Sequence, residues 1–129
     1  MPKVSRDSAT RGGDYGAVLD RNDEVDGYWI GFTSFREDVD ATPLLKGLPD
    51  DRCQCPHWGY VFSGKVTFRN EDHEEVFEAG DAFYTPPGHV PVVNEPGTEF
   101  LMFSPADELR KTDAVMMRNL QALQSAPSA

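Results

Sequence analysis

Eight short strand-like runs, separated by turn-forming residues, constrain the fold of this 129-residue chain more than any other feature. Each run alternates apolar and polar residues or is rich in β-branched and aromatic residues, as strands are. The runs are Ala17–Leu19, Tyr28–Phe35, Arg52–Phe62, Lys65–Arg69, Glu74–Phe77, Ala82–Thr85, Val90–Val93 and Glu99–Ser104. The breakers between them, such as Ser63-Gly64 and Pro86-Pro87-Gly88, favour tight turns. The sequence therefore predicts an all-β domain, either a sandwich or a barrel.

One helix is expected, at the C-terminal end of the chain. Ser104 is the predicted N-cap, and Pro105 suits the first helical turn because its missing N–H needs no partner there. Four apolar residues then fall on one helical stripe: Leu109, Met116, Leu120 and Leu123. The chain fits a single domain with four segments. These are a flexible N-terminal tail over 1–14, the β-barrel over 15–104, the helix over 105–124 and a flexible tail over 125–129.

The segment Cys53-Gln54-Cys55-Pro56-His57 carries three metal-capable side chains at every second position. Side chains two apart in a strand share a face, so Cys53, Cys55 and His57 are expected to point into one pocket. Two alternatives stay open: either cysteine packs as a small apolar residue in the core, or the two form a strained, redox-active disulfide. Pro56 also fits a strand only at an edge or a bulge, and a bulge would change the register.

The order and spacing of the turns resemble the cupin superfamily, whose members are small barrels that commonly hold a metal inside. The second cupin motif, G-x5-P-x-G, matches at Gly80, Pro86 and Gly88, and the last glycine of the first motif matches at Gly64. The resemblance implies a double-stranded β-helix, that is, a jelly-roll barrel, with the C-terminal helix packed outside it. It also implies a homodimer.

The cupin metal positions are substituted in this chain. Counting back from the first-motif glycine, the family's Glu position is His57, its second His position is Cys53 and its first is Asp51. In the second motif the expected His falls on Pro91, but His89 lies two residues earlier and so keeps the same face. We therefore predict a metal site inside the barrel, with Asp51 as an outside candidate. The predicted ligands are Cys53, Cys55, His57 and His89.

Two sulfurs and two imidazole nitrogens suit a divalent transition metal, with zinc favoured over iron or nickel. Four protein ligands close a site and indicate a structural role, whereas three leave a position for water or substrate. Two functions follow. The first is a metal-binding or small-molecule-binding module of undetermined activity. The alternative is a metal-dependent enzyme, an oxygenase or isomerase, that acts on a small organic acid or thiol; no catalytic residue is identified.

Composition excludes several other functions. Acidic residues outnumber basic ones by 22 to 12 and the net charge is −10, so we expect no nucleic-acid partner. The N-terminus lacks the apolar region of a signal peptide, and no stretch approaches the roughly 20 apolar residues of a membrane span. We therefore expect a cytoplasmic protein without membrane contact. No phosphate loop, dinucleotide fingerprint or Ser-His-Asp arrangement is present.

Trp58 and Tyr60 have the opposite parity to His57, so they are expected to point out of the barrel. We expect them to be buried beneath a neighbouring strand, the N-terminal segment or a dimer mate rather than stacked on a substrate. The loop Thr42–Pro49 is apolar enough to cover a core opening or an interface.

Overall fold

The computed structural model describes residues 1–125, which form two antiparallel sheets and one helix. The strands are β1 (Arg11–Asp14), β2 (Val18–Val25), β3 (Tyr28–Phe35), β4 (His57–Ser63), β5 (Lys65–Asn70), β6 (His73–Glu78), β7 (Ala82–Thr85), β8 (His89–Asn94) and β9 (Glu99–Pro105). The helix, α1, is Ala106–Ser125, and two short 3-10 turns lie at Thr42–Leu45 and Pro49–Asp51. Within residues 1–125, no helix combines the length and apolar character that crossing a membrane requires.

The two sheets form the predicted jelly-roll barrel. The larger sheet has the strand order β1-β2-β3-β9-β4-β7 and the smaller has the order β6-β5-β8. Strands that are far apart in sequence become neighbours, as when β9 lies between β3 and β4. The predicted all-β fold with one C-terminal helix is therefore confirmed.

The inner faces of the two sheets meet in an aromatic core. Residues of one parity in each strand contribute to it, because alternate side chains of a strand point to the same face. Six residues form this core: Phe35, Val61, Val66, Phe68, Phe83 and Phe100. Burying a side chain of this size stabilises the fold by about 1.5–3 kcal/mol. This core occupies part of the barrel interior and leaves another part for polar groups.

The N-terminal strands differ most from the sequence prediction. β1, at Arg11–Asp14, lies inside the segment 1–14 that we expected to be a flexible tail, and it pairs with β2. β2 continues to Val25, well beyond the predicted end at Leu19. Both stretches are polar and lack apolar alternation, so their pairing with neighbouring strands, not their own composition, makes them strands. The tight turn at Asp26-Gly27, where φ is positive at both residues, joins β2 to β3.

The helix begins two residues after its predicted cap. Ser104 lies in β9, and α1 starts at Ala106, whose N–H donates to the carbonyl oxygen of Gly27.

A second apolar cluster forms where α1 packs against the loop that precedes β4. It comprises Leu45, Cys53, Cys55, Val90 and Val92, with Leu48, Leu109 and Met116 packed against them. The helix extends to Ser125, so the rest of the predicted tail over 125–129 lies outside the described residues.

Candidate functional site

Three of the predicted metal ligands meet inside the barrel. Cys53, His57 and His89 each offer one ligand atom, and these atoms lie within 4.8 Å of one another. The three residues are 4 %, 4 % and 2 % exposed, so the group is shielded from solvent. The rings of His57 and His89 stand edge to face with their centroids 4.7 Å apart. Sulfur and imidazole nitrogens therefore converge on one buried point.

His57 is fixed by the larger sheet. It opens β4, where its backbone pairs with Thr85 of β7. Its Nδ1 forms a 2.6 Å hydrogen bond with Oγ of Ser104, a fully buried residue of β9. Its Nε2 lies 3.6 Å from Sγ of Cys53. Because Ser104 occupies Nδ1, the Nε2 atom is the one available for a ligand.

His89 is fixed from the other sheet, where it opens β8. Its Nδ1–H donates to the carbonyl oxygen of Pro86 at 2.7 Å, which leaves Nε2 as the acceptor nitrogen. The backbone also ties it to Cys53, because Cys53 N–H donates to His89 O at 3.0 Å and His89 N–H donates to Cys53 O at 3.3 Å. Histidines that bind metals commonly engage their second nitrogen in such a bond.

Cys53 has polar neighbours although it is buried. Its Sγ lies 3.7 Å from Cys55 O and 3.8 Å from Oγ1 of Thr112, a buried residue of α1. Burial raises the pKa of the Cys53 thiol. Thr112 brings the C-terminal helix to the edge of the site, so the helix covers the Cys53 side of the group.

Both histidines are held in their neutral form. Burial lowers the pKa of His57, and the neighbouring His89 lowers it further. Burial also lowers the pKa of His89, although its hydrogen bond to Pro86 acts in the opposite direction. Neutral imidazole is the form that binds metals, so the buried environment prepares both rings as ligands.

The structure does not bring Cys55 into this group. β4 begins only at His57, and no strand covers residues 54–56, so the strand geometry that would aim Cys55 at the group is missing although Cys53, Cys55 and His57 are all buried. Cys55 Sγ instead lies 3.5 Å from Pro56 O and 3.9 Å from Pro105 O. The residue is 1 % exposed within the apolar cluster under α1, and burial raises its pKa to about 12. Cys55 thus packs as a core residue; both cysteines are free thiols.

Asp51, the outside candidate, also lies apart from the group. Its side chain is on an exposed loop, and its carboxylate accepts a hydrogen bond from the Gly47 N–H at 2.9 Å. This bond closes the loop around the second 3-10 turn and gives Asp51 a local structural role.

A cavity of about 230 Å³ lies beside the group. His89 and Thr85 line it, together with residues from β5 and from the edge strands β6 and β7. His73, at the start of β6, also lines this cavity, although its side chain is largely exposed, as expected of a surface residue. The cavity therefore borders the group at His89.

Three residues beside the site could not be recognised from the sequence. Ser104 fits a helix cap equally well, and its contact with His57 follows from the late start of α1. Thr112 reaches Cys53 through docking of a distant helix, which no local pattern signals. Thr85 precedes the Pro-Pro-Gly turn of the second cupin motif, and its place opposite His57 follows only from the pairing of β4 with β7.

No protein-family model and no curated protein matches this chain. Among solved structures, a protein of unknown function from Rhizobium leguminosarum is similar, with 15 % identity, a TM-score of 0.57 and coverage of 81 % of this chain and 95 % of that one. An RmlC-like cupin from Shewanella frigidimarina has 16 % identity, a TM-score of 0.52 and coverage of 79 % and 88 %. A cupin superfamily protein from Desulfitobacterium hafniense has 11 % identity, a TM-score of 0.51 and coverage of 72 % and 80 %. These likenesses, together with the motif glycines and the two-sheet barrel, establish that this chain has the cupin fold.

Proposed function

We propose that this protein binds one divalent transition metal inside its barrel, with Cys53, His57 and His89 as the ligands. The observation that supports the proposal most directly is the convergence of their three ligand atoms within 4.8 Å in a buried pocket. Two independent contacts add to it, since Ser104 and Pro86 occupy the Nδ1 atoms and orient both rings.

The donor set supports zinc. One sulfur and two imidazole nitrogens are borderline to soft ligands, which fit zinc better than calcium or magnesium. Iron sites that react with oxygen usually combine histidine with a carboxylate, and the carboxylate candidate Asp51 lies on an exposed loop. A zinc ion held by these three residues would act as a Lewis acid. The protein holds the ion, keeps both imidazoles neutral and shields the group from bulk water.

A metal-dependent enzyme is the second candidate function. Three protein ligands are the number found in catalytic zinc sites, which keep a fourth position for water or substrate. The cavity at His89 supports this candidate, because a space of about 230 Å³ borders one of the three ligands. The buried Thr85 hydroxyl lies at the same end of the barrel. Binding and catalysis share the same three ligands, so the metal is tested first.

Metal analysis of protein purified without a His-tag or a nickel column tests the proposal. After reduction and incubation with excess zinc, we expect close to one equivalent of tightly held zinc per chain. Cobalt substituted for zinc should show thiolate-to-metal charge-transfer absorption, because Cys53 is one of the ligands. Less than about a tenth of an equivalent of any transition metal would reject the metal-binding function.

We also propose that the protein forms a homodimer through an aromatic patch on the outer face of the larger sheet. Trp58 and Tyr60 are 46 % and 41 % exposed. The described residues therefore do not bury them under a neighbouring strand or the N-terminal segment, and a dimer mate is the expected cover that is left. Further aromatic residues of this sheet are exposed to a similar degree: Tyr28, Phe62, Tyr84 and Phe103. Trp58 pairs with Tyr84 on one neighbouring strand and with Phe103 on the other, so the patch is continuous. A two-fold axis would set this patch against itself and remove its aromatic side chains from water.

Sedimentation velocity tests the dimer. We expect a dimer at micromolar concentration and a monomer after Tyr60→Lys, because a lysine in the centre of the patch would be desolvated on association. Val76→Lys is the matched control, since Val76 is 49 % exposed on the smaller sheet. A wild-type protein that stays monomeric at high micromolar concentration would argue against this interface, as would equal dissociation by both substitutions.

A further inference from the structure

A buried hydroxyl lies in the middle of the face by which α1 docks on the barrel. Four residues spaced three or four positions apart share this side of the helix: Leu109, Thr112, Met116 and Asn119. Leu109 and Met116 pack against the apolar cluster that contains Cys53. Asn119 Nδ2 donates to two carbonyl oxygens of the loop that precedes β4, at 2.7 and 2.9 Å. Contacts on both sides therefore fix the position of Thr112.

Packing alone does not account for a threonine at this position. Thr112 is 3 % exposed, and a buried hydroxyl without a hydrogen-bond partner lowers stability. In the part of the chain that the structure describes, this hydroxyl has one side-chain partner, the Sγ of Cys53 at 3.8 Å. Valine would fill a similar space without a polar atom to satisfy. The sulfur of Cys53 therefore gives the hydroxyl its purpose.

The other two neighbours of the Cys53 sulfur are not donors. Cys55 O, at 3.7 Å, is a carbonyl oxygen and only accepts hydrogen bonds. His57 Nε2, at 3.6 Å, is the nitrogen that is available for the metal. A cysteine that binds a metal is a thiolate, which accepts hydrogen bonds and donates none. Because a hydroxyl can rotate to donate, Thr112 is the one of these three contacts that can stabilise the thiolate.

We infer that Thr112 is a positioning residue of the metal site: its hydroxyl donates to the metal-bound sulfur of Cys53 and so couples metal binding to the docking of α1. The inference rests on the proposed function, in which Cys53 is a ligand. The coupling is reciprocal, because the factor by which the docked helix raises metal affinity is also the factor by which the metal stabilises the docked helix. The C-terminal helix is thus a functional part of the site.

The variants Thr112→Val and Thr112→Ser test the hydroxyl. Valine has a helix propensity close to that of threonine, so Thr112→Val should fold. Groups that support a metal ligand typically contribute 10–100-fold to affinity, so we expect Thr112→Val to bind zinc about tenfold more weakly in competition with a chelator. Thr112→Ser keeps the donor and should bind zinc nearly as tightly as the wild type. Thr67→Val should leave zinc affinity unchanged, because Thr67 is also buried but lies in β5 opposite Val76 and Val93.

The cobalt derivative provides a readout that a purely structural role of Thr112 would not change. A hydrogen bond to the thiolate withdraws electron density from sulfur, so more energy is needed to move an electron from sulfur to the metal. We therefore expect the thiolate charge-transfer band to shift to longer wavelength in Thr112→Val. The band should stay in place in Thr112→Ser and in Thr67→Val.

Amide hydrogen exchange measures the coupling in the opposite direction. Zinc should slow exchange of the α1 amides in the wild type, because undocking of the helix breaks the bond between Thr112 and the thiolate. We expect this slowing by zinc to be about tenfold smaller in Thr112→Val, which matches its loss of zinc affinity. In Thr112→Ser the slowing should equal that of the wild type.

The outcomes separate the role of Thr112 from the metal proposal. If the wild type binds zinc but Thr112→Val binds it equally tightly, leaves the cobalt band in place or is no weaker than Thr112→Ser, the role of Thr112 is overturned and the metal proposal stands. A wild type that takes up no zinc would overturn both. Circular dichroism checks the fold of each variant, and Thr112→Ala, which also removes the hydroxyl but adds no methyl group, takes the place of Thr112→Val if valine is not tolerated.

Discussion

Cys53→Ser should abolish tight zinc binding, whereas Cys55→Ser should leave it nearly unchanged. The two cysteines are two residues apart and both buried, but only the Sγ of Cys53 belongs to the group that includes His57 and His89. Removing a residue that merely supports a metal ligand typically costs 10–100-fold in affinity, so removing the thiolate ligand should cost at least about 100-fold. The two variants carry the same substitution, and we therefore expect a large difference between their zinc affinities.

Zinc affinity is measured by competition with a chromophoric chelator under reducing conditions. The cobalt derivative adds a second readout, because its thiolate charge-transfer band should vanish in Cys53→Ser and persist in Cys55→Ser. Far-ultraviolet circular dichroism of both variants shows whether the barrel is intact. If the two substitutions weaken zinc equally while the fold is preserved, both sulfurs are ligands and the four-ligand site expected from the sequence is correct.

The barrel and its Cys/His group could be predicted because they depend on residues with clear local sequence patterns. Gly64, Gly80, Pro86 and Gly88 sit at turns, and turn chemistry is set by a few neighbouring residues. Their spacing brings the His57 end of β4 opposite the turn that leads into β8. Hence the all-β barrel and a Cys/His group inside it could be predicted from one sequence.

The position of Cys55 and the contact of Thr112 could not be predicted, because they depend on local backbone conformation and on contacts between residues distant in sequence. The assignment of Cys55 to the shared face assumed a regular strand across Pro56, but the chain before His57 is held instead by a single bridge between Cys53 and His89. Thr112 lies 59 residues from Cys53 in sequence and reaches it only after α1 docks. Neither arrangement produces a periodic pattern of apolar residues in the sequence. Strands and helices are predicted from such patterns, so these contacts could not be found in that way.

Gly64→Ala should unfold or severely destabilise the protein, because this motif glycine has two separate constraints. Its φ is +76°, a region that costs an L-residue about 1–2 kcal/mol. A Cβ there would also lie 2.6 Å from Cα of Thr98 and closer still to its Oγ1. Thr98 cannot turn away, since it is fully buried and its hydroxyl bonds to both the N–H and the carbonyl of Lys65. Overpacking adds about 1–3 kcal/mol, so the total cost is about 2–5 kcal/mol, a large share of a domain's stability.

Gly80→Ala is the matched control for this prediction. Gly80 is the first glycine of the second motif and has a similar φ of +93°, but a Cβ there meets nothing within 4 Å. It should therefore lose only the backbone cost of about 1–2 kcal/mol and remain folded. Urea unfolding of both variants, monitored by tryptophan fluorescence, gives the two free energies of unfolding. Equal losses would mean that backbone conformation alone explains both glycines; a clearly larger loss at Gly64 would show that its close approach to Thr98, where β4 and β5 meet the turn before β9, constrains the barrel independently of turn geometry.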